Sequence, residues 1–304
     1  MSGSQTGSRG IASAFGRFAA FAITIVVVLA VGASIGSATN PEAFAGFKVA
    51  LAPSSPTAGQ SVTVTITAIE NDNGIDSRYA GVNCVRFSGP ASSSLPLPGG
   101  TAPSYPGPGS CGAGNSSLTF SSGKAVTTVH LFDEQTVKLT VTDVPTSKSG
   151  SSASFNVTDA GAASFTLANT SGGALGSQTA GTAFGVKLTA YDKYGNVAMS
   201  YGGAGGQAKT LAWSAPNSPN NTSPTFPSTA TSVTFTGGVG TATGIVLVDA
   251  QTPTTLGVDD ANQTSIAGSA SFNVLDGTLL PSFVLQPADA QVSMTIYSNA
   301  ATKT

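Results

Sequence analysis

The 304-residue sequence predicts an all-β protein: two tandem β-sandwiches behind an N-terminal hydrophobic helix. Three observations predict it. First, the chain repeats itself: Ala153 to Val157 reads ASFNV, as does Ala270 to Val274. The spacing that carries Thr57-Ala58-Gly59 onto Thr179-Ala180-Gly181 also carries Tyr79-Ala80-Gly81 onto Tyr201-Gly202-Gly203. Second, apolar and polar residues alternate with a period of two in both copies, the pattern of strands with one face on a core and one in water. Third, beyond the N-terminal segment no stretch carries the apolar stripe of an amphipathic helix. The repeat is longer than the roughly 20 to 50 residues of a solenoid unit, so each copy is expected to hold a core of its own.

Residues 1–38 are expected to be a signal peptide or a membrane anchor. Arg9 and Arg17 precede an apolar run from Phe18 to Ala33, and the small residues Gly36-Ser37-Ala38 follow, which is the order of a basic region, an apolar region and a cleavage site. Extended to Ile35, the run approaches the length that crosses a bilayer. Arg9-Gly10-Ile11 before an apolar stretch also resembles the processing site of archaeal type IV pilins and archaellins, which implies a filament subunit anchored by its helix; Arg17 falls inside that helix. Each alternative exports the remainder, so an extracellular or cell-surface location is expected, with membrane contact only through this segment.

After a linker at 39–46, the first copy spans 47–160. Val62, Val64, Ile66 and Ala68 alternate with Thr63, Thr65 and Thr67, and further strands are expected at 47–51, 82–87, 118–120, 125–132, 137–142 and 154–157. In the second copy, 161–277, Phe184, Val186, Leu188 and Ala190 alternate with Gly185, Lys187 and Thr189. Its other strands are expected at 165–167, 210–213, 233–235, 244–248, 255–258 and 271–274. Seven short strands per copy fit an immunoglobulin-like sandwich, in which a large aromatic on the third strand lies between the sheets; Phe87 and Trp213 hold that place. Residues 278–304 begin a third copy, with Ser282 to Leu285 echoing Ser164 to Leu167 and Val292 to Tyr297 alternating like a second strand. Too little chain follows to close a sandwich, so these strands are expected to add to a sheet of the same or a neighbouring molecule, a route to self-association.

Charged residues make up 9% of the chain and the net charge is −2, which excludes the basic surface a nucleic-acid binder needs. The steady apolar content also argues against disorder. Titratable groups are too sparse for catalysis. The only histidine, His130, aligns with the apolar Val246 of the second copy, and no G-x-S-x-G elbow is present. No catalytic residue, cofactor-binding residue or cofactor is expected. Glu70, Asp72 and Asp76 flank Gly74 with oxygens of the kind calcium prefers, but the same residues suit a turn between strands, and no metal is expected there. Cys84 and Cys111, the only cysteines, are expected to form one disulfide in an exported chain, closing a Pro/Gly-rich loop that the second copy lacks.

The run Thr179-Ala180-Gly181-Thr182-Ala183-Phe184, then Leu188-Thr189-Ala190-Tyr191-Asp192-Lys193-Tyr194-Gly195-Asn196, then Tyr201-Gly202-Gly203 resembles bacterial Ig-like domains of the invasin/intimin kind, found in tandem on surface proteins. The first copy departs from it, with Glu70-Asn71-Asp72-Asn73 replacing the D-K-Y-G run. The resemblance implies that Gly195 takes a tight turn, that Asp192 caps it, and that the chain is a non-enzymatic surface stalk or adhesion module with a protein or glycan ligand. The alternatives are a pilin-like filament subunit and a carbohydrate-binding accessory module. A row of exposed aromatics would mark the latter.

Overall fold

The computed structural model describes residues 43–95 and 99–277. The N-terminal signal or anchor segment and the third-copy strands lie outside the described residues. What is described is all-β, with a single one-turn helix among the described residues.

In the first copy the strands are β1 (Phe44–Ala52), β2 (Ser61–Glu70), β3 (Gly81–Ser88), β4 (Ser116–Phe120), β5 (Lys124–His130), β6 (Gln135–Val137), β7 (Thr140–Asp143), β8 (Ser149–Ser151) and β9 (Phe155–Val157). The period of two in β2 is realised literally: Val62, Val64, Ile66 and Ala68 are fully buried. The strand is the middle of an antiparallel sheet β1-β2-β5, with Val49 opposite Ile66 and Val62 opposite Val129. A second sheet, β4-β3-β7-β8, supplies Val85, Phe87, Phe120 and Val141 to the same apolar cluster. Each such fully buried side chain stabilises by about 1.5 to 3 kcal/mol. Sequence reasoning does not anticipate β8, which reads Ser-Gly-Ser. That strand forms by antiparallel pairing with β7, and its glycine is required because any Cβ at Gly150 would overlap the Phe47 carbonyl.

The second copy contains β10 (Ser164–Ala168), β11 (Gln178–Thr179), β12 (Ala183–Tyr191), β13 (Gln207–Ser214), α1 (Ser228–Thr231), β14 (Ser232–Thr236), β15 (Val239–Val246), β16 (Thr254–Asp260), β17 (Gln263–Phe272) and β18 (Val274–Leu275). Val186, Leu188 and Ala190 of β12 are fully buried, as the alternation predicts, and their cluster shares no buried residue with the first. Where two separate sheets are expected, hydrogen bonding runs in a closed ring, β10-β12-β15-β14-β13-β16-β17. The link is β14, which pairs with both β13 and β15. Gly237 and Gly238, at φ 53° and 79°, return the chain from β14 to β15 in a two-residue hairpin that needs positive φ at both positions. The ring is completed by one parallel pair, Ser164 with Ala267.

A buried tyrosine–aspartate bond recurs in both copies. Tyr79 Oη donates to Asp143 Oδ1 and Tyr201 Oη to Asp260 Oδ2, each at 2.5 Å. Asp143 also accepts from the Thr146 N–H, and Asp260 from the N–H groups of Asn262 and Gln263. Each phenol therefore ties a turn to the core. Burial first, then the aspartate, pushes both phenols well above the usual tyrosine range. The stability they supply is full below the unfolded phenol pKa of about 10 and declines as pH rises past it, because only the unfolded chain then releases the proton. Urea midpoints should fall above about pH 10, and the fall should shrink when Tyr79→Phe and Tyr201→Phe are combined.

Cys84 of β3 and Cys111 form a disulfide. The loop it closes is further held by Ser116 Oγ donating to the Pro106 carbonyl at 2.7 Å and by the Ser117 N–H donating to Gly107 at 3.0 Å. Replacing both cysteines by serine is expected to lower stability by about 3 kcal/mol on loop-entropy grounds. A urea midpoint equal to that of the parent chain would refute this.

Candidate functional site

The residues singled out from sequence do not gather into a chemical site. His130 ends β5, where Nε2 lies 2.9 Å from Ser61 Oγ; among the described residues no carboxylate hydrogen-bonds the imidazole. Glu70 and Asp76 lie together, but the Arg78 guanidinium occupies the place of a cation, 3.1 Å from Glu70 Oε1 and 3.1 Å from Asp76 Oδ1. Asp72 Oδ1 instead accepts from the Gly74 N–H at 2.8 Å. Among the described residues no group of three His, Cys, Asp or Glu could hold a metal ion. Trp213 is half-buried: Nε1–H donates to the Ala230 carbonyl at 2.9 Å, and the ring stacks on Phe226 at 6.0 Å. Phe87 is its counterpart, buried and stacked on Tyr105 at 5.0 Å.

Buried polar groups converge at the junction of the two copies, on the turn after β12. Asp192 is 1% exposed. Its Oδ1 accepts from the N–H groups of Tyr194 and Asn196, each at 2.9 Å, capping the turn whose tight position, Gly195, has φ 86°. Its Oδ2 accepts from Asn196 Nδ2 at 2.8 Å and, across the junction, from the Ala160 N–H at 2.9 Å. All four donors to this carboxylate are N–H groups, so its hydrogen-bonding capacity is met inside the junction.

Asn196 then clamps the first copy through both ends of its amide. Oδ1 accepts from the Glu134 N–H and Nδ2 donates to the Phe132 carbonyl, each at 2.9 Å. The Tyr194 ring lies 5.0 Å from that of Phe132 and packs against the first core, while its carbonyl accepts from the Leu95 N–H at 2.8 Å. Gly59 makes the seat: a side chain there would overlap the Tyr194 hydroxyl. On the opposite flank Asp159, 6% exposed, accepts from Ser200 Oγ at 2.5 Å and from the Ser200 N–H at 3.1 Å.

Two clefts flank this contact. One, of about 390 Å³, is lined by Gly59, Gln60, Lys193 and Tyr194; the other, of about 630 Å³, by Glu134, Asp159, Met199 and Ser200. Burial, then Asp159, Asp192 and Asp133, push the Glu134 carboxyl above its ordinary range. The hydrogen bonds of Asp192 and Asn196 thus tie the two bodies together. Sequence reasoning placed Gly195 and Asp192 in a turn but missed the Asn196 clamp and Asp159. The repeat itself carried a signal for the latter, since each ASFNV is followed by one residue and then an aspartate, Asp159 and Asp276.

No protein-family profile matches the chain, and no curated protein matches it. Among solved structures it is similar to FdeC, described as a broadly conserved Escherichia coli adhesin, at 19% identity and a TM-score of 0.37, covering 76% of this chain and 64% of that one. It is also similar to invasin, described as a bacterial integrin-binding protein, at 14% identity and a TM-score of 0.30, covering 78% of this chain and 40% of that one. A third is the Yersinia pseudotuberculosis adhesin InvE, at 14% identity and a TM-score of 0.28, covering 75% and 58%. The chain spans less than two thirds of each of these structures, and similarity at this level assigns it no residue, ligand or partner.

Proposed function

We propose that the chain is a non-catalytic, exported cell-surface module. In this reading two immunoglobulin-like sandwiches, 47–160 and 161–277, form a stalk that presents a binding end to a protein or glycan ligand. The observation that carries it is the junction. Inter-domain contacts within a chain are commonly loose and polar, and relative motion is the default, whereas here Asp192 and Asn196 are buried and place three hydrogen bonds across the boundary, to Ala160, Glu134 and Phe132. Such a contact fixes the angle between two bodies, which is what a stalk requires. Among the described residues His130 has no carboxylate partner, and the Asp192 carboxylate is already bonded to backbone N–H groups; both support the non-catalytic part.

Spin labels at the exposed positions 128 and 241, introduced as Thr128→Cys and Thr241→Cys, report the junction directly. One narrow distance distribution is expected in the parent chain, and a broad one with Asn196→Ala. A broad distribution in the parent would sink the stalk. Protease added to intact cells should remove the chain from their surface, and full protection would refute export.

A further inference from the structure

The far end of the second repeat carries the counterpart of the surface on which the first repeat holds the second. In the first repeat Gly59, at φ 79°, donates to the Leu131 carbonyl, and the Ala58 N–H donates to Thr158. In the second, Gly181, at φ 78°, donates to the Leu247 carbonyl, and the Ala180 N–H donates to Leu275. The correspondence continues outward. Val248 stands for Phe132, Ala250 for Glu134, Asp276 for Asp159 and Gly277 for Ala160. Among the described residues, a Cβ added at Gly181 would meet nothing within 4 Å, while one at Gly59 would strike Tyr194. Leu275 is 51% exposed here and Asp276 is exposed, where Asp159 is buried under Ser200.

We propose that this end is a socket for a further sandwich repeat, one that enters through a turn of the Asp-x-Tyr-Gly-Asn kind seen at 192–196. The space at Gly181 receives the tyrosine, and the Val248 carbonyl and Ala250 N–H receive the two ends of the asparagine amide. The Gly277 N–H meets the turn's aspartate, and Asp276 takes a hydroxyl and an N–H from the strand that follows. Leu275 and Val248 supply apolar contact at the rim. A second copy of this chain does not fit as the occupant. Its own 192–196 turn is seated on its first repeat, and the corresponding turn of that first repeat has Asp72 where the tyrosine belongs and Gly74 where the asparagine belongs. The two ends of the pair are therefore unlike: one offers a socket, and the other lacks the plug.

The inference rests on the stalk reading, and one experiment separates the two. Residues 161–277 are duplicated directly after Gly277 in the full chain, and spin labels are placed at position 241 and at its counterpart in the added copy. The distance distribution across the new joint should match the width of that across the native joint. It should broaden about twofold or more, toward the independent motion usual between domains, when the tyrosine and asparagine of the added turn become alanine. Val248→Arg on the socket side should broaden it equally, which excludes misfolding of the added copy as the cause. A broad new joint beside a narrow native joint overturns the socket and leaves the stalk standing. If both joints are broad, both readings fall. A parent chain that dimerises in sedimentation, and loses the dimer with Val248→Arg, would overturn the choice of occupant.

Discussion

Replacing Asp192 by alanine is expected to uncouple the two repeats and to destabilise the second. The carboxylate is 1% exposed and accepts four hydrogen bonds, one of them from the first repeat. Its removal strands the Tyr194, Asn196 and Ala160 N–H groups, and each buried donor left unmet costs about 1 to 3 kcal/mol. Water reaching the turn through the flanking clefts offsets part of this, so a loss of about 3 to 4 kcal/mol is expected, near the top of the range for a single substitution. Trp213, the only tryptophan, lies in the second repeat, and its fluorescence during urea unfolding reads that repeat alone. The distance distribution between labels at 128 and 241 should broaden in the same variant. A midpoint unchanged to within about 0.5 kcal/mol, the ordinary scatter of surface substitutions, would show that the turn holds its shape without the carboxylate.

Trp213→Ala is expected to cost about 2 to 3 kcal/mol, below the range for truncating a fully buried aromatic, because the ring is half-buried. The ring packs against the second core, stacks on Phe226, and donates to the Ala230 carbonyl, which ties α1 to β13. Truncation therefore opens a cavity and frees the helix at once. Trp213→Phe keeps a ring against Phe226 but loses the donor and part of the indole's volume, so it should cost about 1 to 2 kcal/mol, less than Trp213→Ala. Circular dichroism during urea unfolding measures both variants. A change near zero in Trp213→Ala would mean that the ring is a surface platform, and would return the carbohydrate-binding reading to consideration.

What the amino-acid order determined by itself was local. Val62 to Ala68 and Phe184 to Ala190 declare their strands because successive side chains of a strand point to opposite faces, and that needs no knowledge of the partner strand. Gly195 and Asp192 declare a turn for the same reason: positive φ and a capping carboxylate act within a few residues. Two cysteines in one repeat leave a single intramolecular pairing. The repeat of ASFNV and of the tyrosine before each Gly-containing turn announced two similar bodies.

Only the tertiary structure decided which distant groups those local pieces meet. Ser149 to Ser151 became a strand because β7 lies beside it to pair, and β14 joined two sheets because it borders both β13 and β15. Tyr79 and Tyr201 found Asp143 and Asp260 far along the chain. Asn196 reads as one more polar residue until Phe132 and Glu134 present a carbonyl and an N–H at the right separation. The reason is the same in each case: a hydrogen bond or a close backbone approach gains free energy only after the chain has brought its partners together. Such contacts leave no periodic trace in the order of residues.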